Sequence, residues 1–305
     1  MIEILDGTHD VPRVLDKARS VGVAESDVRS LLDLLAQGDV LDDAAADRGA
    51  LAALPTRDRD RLAPDLASAS LVRGGQDGGM AVFQRRRRSS VTVHGAGRVG
   101  ASVATLLAAA GIGSVHVEDA GRATVADAAP AGLAPEAAGE RRGLAARAAV
   151  RRVDAAVADA PAAPRPDVVV LAPASGAPDP RLVDDLVREG VPHVLAVVRE
   201  TTGVVGPLVL PGRSTCLRCC DLHRSDRDRA WPRIAAQLVG ARTGVPACDV
   251  VLATTVAGHA ALQVLLWLDG TPCPEAVDGT LEVSAVDGTT RRRTWQPHPA
   301  CGCAW

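Results

Sequence analysis

From residue 90 to residue 121 the apolar and polar positions follow the order of a strand, a turn, a helix and a second strand. Val91-Thr92-Val93-His94 is a short β-rich run, Gly95-Ala96-Gly97-Arg98-Val99-Gly100 a glycine turn, and 101–110 a helix of small residues closed by Gly111. Residues 115–117 then form a strand that ends in Glu118-Asp119. Further on, 166–171 reads as a buried strand, and 180–189 as a helix with Pro180 in its first turn and Gly190 past its end. Residues 193–198 and 204–210 read as two more strands. Residues 281–286 and 289–295 flank Asp287-Gly288, a hairpin signal. The apolar run 250–268 has the length of a membrane span but carries Thr254, Thr255, His259 and Gln263. It is read as a core helix, and no membrane contact is expected. The pattern predicts an α/β fold with a mostly parallel sheet and an antiparallel extension.

Upstream, 11–21 and 24–36 carry two helical patterns, and Val28, Leu31, Leu32 and Leu35 share one face of the second. Gly22 and Gly38 end these helices, Ser26 reads as an N-cap, and Val40-Leu41 as a short strand. Residues 1–48 are therefore expected to form a small winged-helix-like module. Residues 49–89 show little periodicity and include Gly74-Gly75, Gly78-Gly79 and four arginines at 85–88. They read as a linker whose arginines are solvated or meet a phosphate. The remaining domain spans 90–305.

The glycine turn has the spacing and the context of a Rossmann-like nucleotide site. Gly95 permits the tight turn, Gly97 lets backbone approach a phosphate, and Gly100 lets helix and strand pack closely. Free N–H groups at the helix start favour an anion, and Asp119 lies where a carboxylate would take a ribose hydroxyl. The alternative is a βαβ unit whose glycines serve packing only. The net charge of −3 gives no reason to expect nucleic acid. Lys17 is the one lysine, so any later cation must be arginine. With no basic-then-apolar leader visible at the N-terminus, a cytoplasmic location is expected.

Seven cysteines in that setting point to metal rather than disulfides. Cys216-Leu217-Arg218-Cys219 is a CxxC and Cys301-Gly302-Cys303 a CxC. Together they can supply four thiolates to a structural zinc ion, with His298 as a substitute ligand. A redox role for the CxxC is the alternative reading. Cys248 opens the long apolar helix, where the dipole would lower its pKa, and reads as a reactive thiol or a packing residue.

The glycine turn, the strand ending at Asp119, Gly203-Val204-Val205-Gly206-Pro207 and the two cysteine knuckles together resemble the ThiF/MoeB/HesA family, bacterial relatives of ubiquitin-activating enzymes. The likeness covers about residues 90–305. It implies ATP- and magnesium-dependent adenylation of a C-terminal carboxylate on a peptide or ubiquitin-like protein, a structural zinc, and a precedent for homodimers. Gly95, Gly97 and Gly100 would face the phosphates and Asp119 the ribose. Several family features have no direct counterpart. The Arg-Gln pair after the ribose acid is missing, the usual lysine is at best Arg142, and the strand that should end in a magnesium aspartate ends in Ala172-Pro173-Ala174. Asp179 is the next acid. Arg199, beside Glu200, reads equally as a relocated cation or half of a surface ion pair.

Residues 4–10 and the two N-terminal helices also resemble the back half of a PqqD-like leader-peptide recognition domain. The strands that precede the helices in such domains have no counterpart in residues 1–10. The acids Asp27, Asp33, Asp39, Asp42 and Asp43 argue against DNA. The readings that follow are an adenylating enzyme, a non-catalytic relative that binds a peptide or a partner enzyme, and a dinucleotide-dependent oxidoreductase with His223 or His259 moving a proton.

Overall fold

The computed structural model describes residues 2–43, 49–73, 76–174, 176–239 and 247–303. Gly74-Gly75, Ser175 and Pro246 lie outside them. The chain divides into two compact units, 1–85 and 86–305.

The described part of the first unit is helical. α1 (Val11–Ser20) begins at Asp10, whose side chain accepts from Arg13 N at 3.0 Å. It packs on α2 (Glu25–Gln37) through Val14, Leu15, Ala18 and Val28. The N-cap of α2 is Ala24, without a side-chain bond; Ser26 sits inside the helix. Val40-Leu41 forms no strand. It lacks a neighbouring strand to supply a ladder among the described residues. Residues 49–89 are not the irregular stretch expected. They carry α3 (Gly49–Ala52), α4 (Thr56–Arg73) and α5 (Met80–Arg88). Their apolar contacts, Leu62 with Met80 and Phe83, come from two segments, so no single window shows the period.

The second unit is a seven-stranded sheet with helices on both faces. In chain order its elements are β1 (Ser90–His94), α6 (Arg98–Ala109), β2 (Ser114–Glu118), α7 (Arg142–Val153), α8 (Ala155–Asp159), β3 (Val168–Leu171), α9 (Pro180–Arg188), β4 (His193–Arg199), β5 (Thr202–Val209), α10 (Leu217–Arg227), α11 (Trp231–Leu238), α12 (Val250–Leu268), β6 (Gly279–Ser284) and β7 (Thr290–Thr294). The strand order is β2-β1-β3-β4-β5-β6-β7. β2, β1, β3 and β4 run parallel, and β5, β6 and β7 extend the sheet antiparallel, as predicted.

Alternation along the strands decides which face each side chain joins. Val91, Val93, Val168, Val170, Val194 and Ala196 point to one face and pack under Val103 and Leu107 of α6 and Val256, Ala260 and Val264 of α12. Val169, Leu171, Leu195 and Val197 point to the other and pack on Val183 and Leu186 of α9. α12 is the one described helix long and apolar enough to cross a membrane by length and composition. It packs against α6, β4 and β5. The expectation of solvated or phosphate-facing arginines fails for Arg86. Its guanidinium pairs with the buried Asp269 at 2.6 Å and donates to Ala110 O at 3.2 Å.

Candidate functional site

The glycine turn connects β1 to α6. Gly95 has φ 103°, and a Cβ there would lie 2.0 Å from Ala172 O. A Cβ on Gly100 would lie 1.9 Å from Gly95 O. These two glycines are demanded by backbone packing. Gly97 differs: a Cβ there meets nothing nearer than Asp127 Oδ1 at 3.9 Å, so the space above it is open. Gly97 is the N-cap residue of α6 and provides no side chain. The N–H groups of Gly97, Arg98, Val99 and Gly100 donate to no described protein acceptor. Four such donors at a helix start form an anion cradle.

Asp119 follows β2 and closes the same turn. Its carboxylate accepts from Ala96 N at 2.8 Å, from Gly121 N at 2.7 Å and from Arg142 Nε at 3.1 Å. Most of its four acceptor positions are thereby taken. Arg142, the first residue of α7, also reaches Asp127 Oδ1 at 3.6 Å. Sequence reasoning missed Asp127. The signal was its spacing three residues after Thr124, whose N–H and hydroxyl both donate to Asp127 Oδ2, at 2.8 and 2.9 Å. It also gave Arg98 no role beyond the motif. The Arg98 guanidinium donates to Ala126 O at 2.6 Å and to Cys248 O at 2.7 Å, tying the turn to the segment before α12.

The other two charged candidates lie elsewhere. Asp179 is the N-cap of α9 and accepts from Arg181 N at 2.9 Å. Arg199 ends β4 on the face of Leu195 and Val197, the α9 side, and its Nε donates to Gly176 O at 3.2 Å. Glu200 is exposed at φ 55°, and among the described residues it makes no ion pair with Arg199. Arg142 thus joins Asp119 at the glycine turn, whereas Asp179 and Arg199 do not.

Cys248 does not have the lowered pKa expected of a helix start. Burial pushes its thiol above the usual value, and Asp249, one residue later, takes the cap bonds from Val251 N and Leu252 N. The four knuckle cysteines do meet. The sulfur separations are 3.8 Å for Cys216–Cys219, 3.5 Å for Cys216–Cys301 and 3.3 Å for Cys219–Cys303. A tetrahedral ion with metal–sulfur bonds of about 2.3 Å needs sulfurs about 3.8 Å apart. All four are free thiols within 4.8 Å of one another, so the set can hold a metal ion and leaves it no open position. His298 is not part of the ring: its backbone N donates to Cys219 Sγ at 3.3 Å, while its Nε2 meets Asp226 at 2.9 Å. His223 lies beside it, with ring centroids 4.7 Å apart, and bonds Gln296 O.

The sequence profile of the ThiF family matches residues 71–303. No curated protein sequence matches the chain. Among solved structures, E. coli MccB with ATP is 15% identical over 94% of this chain and 84% of its own, with a TM-score of 0.68. The microcin C7 biosynthetic enzyme MccB in complex with N-formylated MccA is 14% identical over 95% and 86%, with a TM-score of 0.66. PaaA is 19% identical over 95% of this chain and 98% of its own, with a TM-score of 0.72. At these identities the shared property is the fold.

Proposed function

The chain belongs to the ThiF family, and from that premise we propose that it is a peptide-directed, adenylyltransferase-like protein with its nucleotide site at Gly95, Gly97, Gly100, Asp119 and Arg142. The observation that carries this reading is the set of four unclaimed N–H groups under the open space at Gly97. Phosphate oxygens of ATP would take those donors, and Asp119 would hold Arg142 beside them. When bound, ATP with magnesium would supply the adenylyl group that activates a carboxylate, with pyrophosphate as the leaving group. A peptide is the favoured substrate, in keeping with the neighbour MccB, whose structures include the peptide MccA. Zinc is the proposed occupant of the Cys216, Cys219, Cys301 and Cys303 set, where it would pin the C-terminal segment to the start of α10.

The chain's own charges restrain the chemistry. Arg142 is taken up by two acids, Asp119 and Asp127, and the Arg98 guanidinium by the carbonyls of Ala126 and Cys248, so both cations at the turn are already engaged. Electrostatic stabilisation of such a transition state is worth several kcal/mol. Adenylation by the isolated chain is therefore expected to be slow. Calorimetry should detect ATP or AMP binding at micromolar to millimolar concentration, and pyrophosphate exchange with a candidate peptide should be weak. Absence of any nucleotide binding would reduce the turn to a packing device and remove the enzymatic reading.

A second reading is a non-catalytic family member that binds a peptide or a partner enzyme. It is favoured by the Ala172-Pro173-Ala174 end of β3 and by the commitment of Asp179 to capping α9. Robust peptide binding without exchange would select it. Homodimer formation and a cytoplasmic location are proposed from the family resemblance alone.

A further inference from the structure

On the α9 side of the sheet lies a cavity of about 370 Å³, near the lower end of the range for ligand sites, about 300–1,000 Å³. Val183, Leu195, Pro207, Leu217 and Trp231 give it apolar walls. Arg199 reaches into it from the end of β4. Its Nε is fixed on Gly176 O, and its two Nη groups have no acceptor among the described residues. Arg224 also lines the cavity but is already balanced. It donates to Asp221 Oδ1 at 3.0 Å and lies 5.0 Å from the Trp231 ring centre, and the indole N–H of Trp231 bonds the same carboxylate at 3.1 Å. Asp184 and Arg218, both exposed, set opposite charges at the rim. The interior therefore holds one guanidinium without an ion-pair partner among apolar walls; Asp221 and Glu282 attract it from a distance but do not bond it. Burial together with Arg224 lowers the Arg199 pKa from its usual value, but an arginine stays charged, and a charge in such a place needs a partner.

We propose that this cavity binds a single carboxylate carried by an apolar group, with Arg199 as its bidentate partner. The planar guanidinium fork matches a carboxylate through two parallel N–H···O bonds. One free positive charge suits a monoanion better than a phosphate dianion. The apolar walls would cover the group beside the carboxylate, such as the last side chain of a peptide. None of the lining residues belongs to the glycine turn, so the assignment stands independently of the nucleotide reading.

The test is calorimetry on the full zinc-loaded chain with three probes: a short peptide ending in free Leu, the same peptide C-terminally amidated, and 3-phenylpropionate. Saturable binding of the free acid peptide, of 3-phenylpropionate or of both is expected. The peptide acid would identify a chain end as the source, and binding confined to 3-phenylpropionate would identify a small free acid. Arg199→Gln should weaken binding at least tenfold. Ala236→Trp, at an exposed position on the cavity wall, should block it without touching the sheet. Gly97→Val should leave it intact, which separates this site from the nucleotide site. No saturable binding by the wild-type chain at millimolar concentration would overturn the proposal. So would equal binding of the amidated peptide, or affinity unchanged in both Arg199→Gln and Ala236→Trp.

Discussion

The cysteine cluster and the glycine turn are both built from short motifs, yet they end in opposite states. At the cysteines, four sulfurs from two distant segments converge until the donor set is closed. At the turn, backbone packing is just as tight at Gly95 and Gly100, but it leaves four N–H donors and the space over Gly97 open. A closed donor set can only hold structure together. An open one presents its groups to something that is not part of the chain. The same distinction separates Arg142, saturated by two acids, from Arg199, whose guanidinium ends are unmatched.

The largest effect should come from opening the closed set. Cys219→Ser should abolish the bound metal and cost on the order of 5 kcal/mol. That is less than the roughly 10–16 kcal/mol of small zinc domains, because the sheet keeps its own core. Metal analysis and thermal melting check it; unchanged stability in metal-free protein would show that the cluster is no staple. Next in size is Gly100→Ala, whose methyl would collide with Gly95 O and should cost about 3 kcal/mol. Denaturant titration reads this directly, and a near-neutral result would mean the turn is less tightly packed than described.

Arg142→Ala should be intermediate. It unpairs Asp119, whose side chain is 8% exposed, and should cost about 2 kcal/mol while lowering nucleotide affinity about tenfold. If stability falls but nucleotide affinity does not, Arg142 holds the turn and nothing more. The smallest change in stability is expected for Gly97→Ala. Its methyl has room in the protein and φ is an ordinary −73°, so folding should change by less than about 1 kcal/mol. Nucleotide binding should nevertheless fall, because the methyl enters the phosphate space. Equal affinity in the variant and the parent would move the nucleotide away from this turn.

Much of the second unit was legible because its signals are local. The predicted core helix 250–268 matches α12, and the Asp287-Gly288 turn joins β6 to β7 with Gly288 at φ 71°. The meeting of the cysteine knuckles was legible too, because thiolate pairs with such spacing have few other uses. The helices of 49–89 were not, since their apolar contacts join different segments. Arg86 was misread for a related reason. An arginine run looks solvated in sequence, and its buried partner Asp269 lies 183 residues away.

By itself the sequence determined the strands of the second unit, its helices after the glycine turn, at 180–188 and at 250–268, the glycine turn itself and which four cysteines meet. Each follows from φ/ψ preference, apolar period or side-chain chemistry within a few residues. Only the tertiary structure decided how the charges are paired. Asp127 and Arg142 lie 15 positions apart yet meet at the turn. Arg199 ends one strand and Asp119 follows another of the same sheet, but alternation along β4 turns Arg199 toward α9 and into a separate cavity. Charge pairing depends on distances of 3 to 4 Å between segments remote in sequence, and no local pattern encodes those distances.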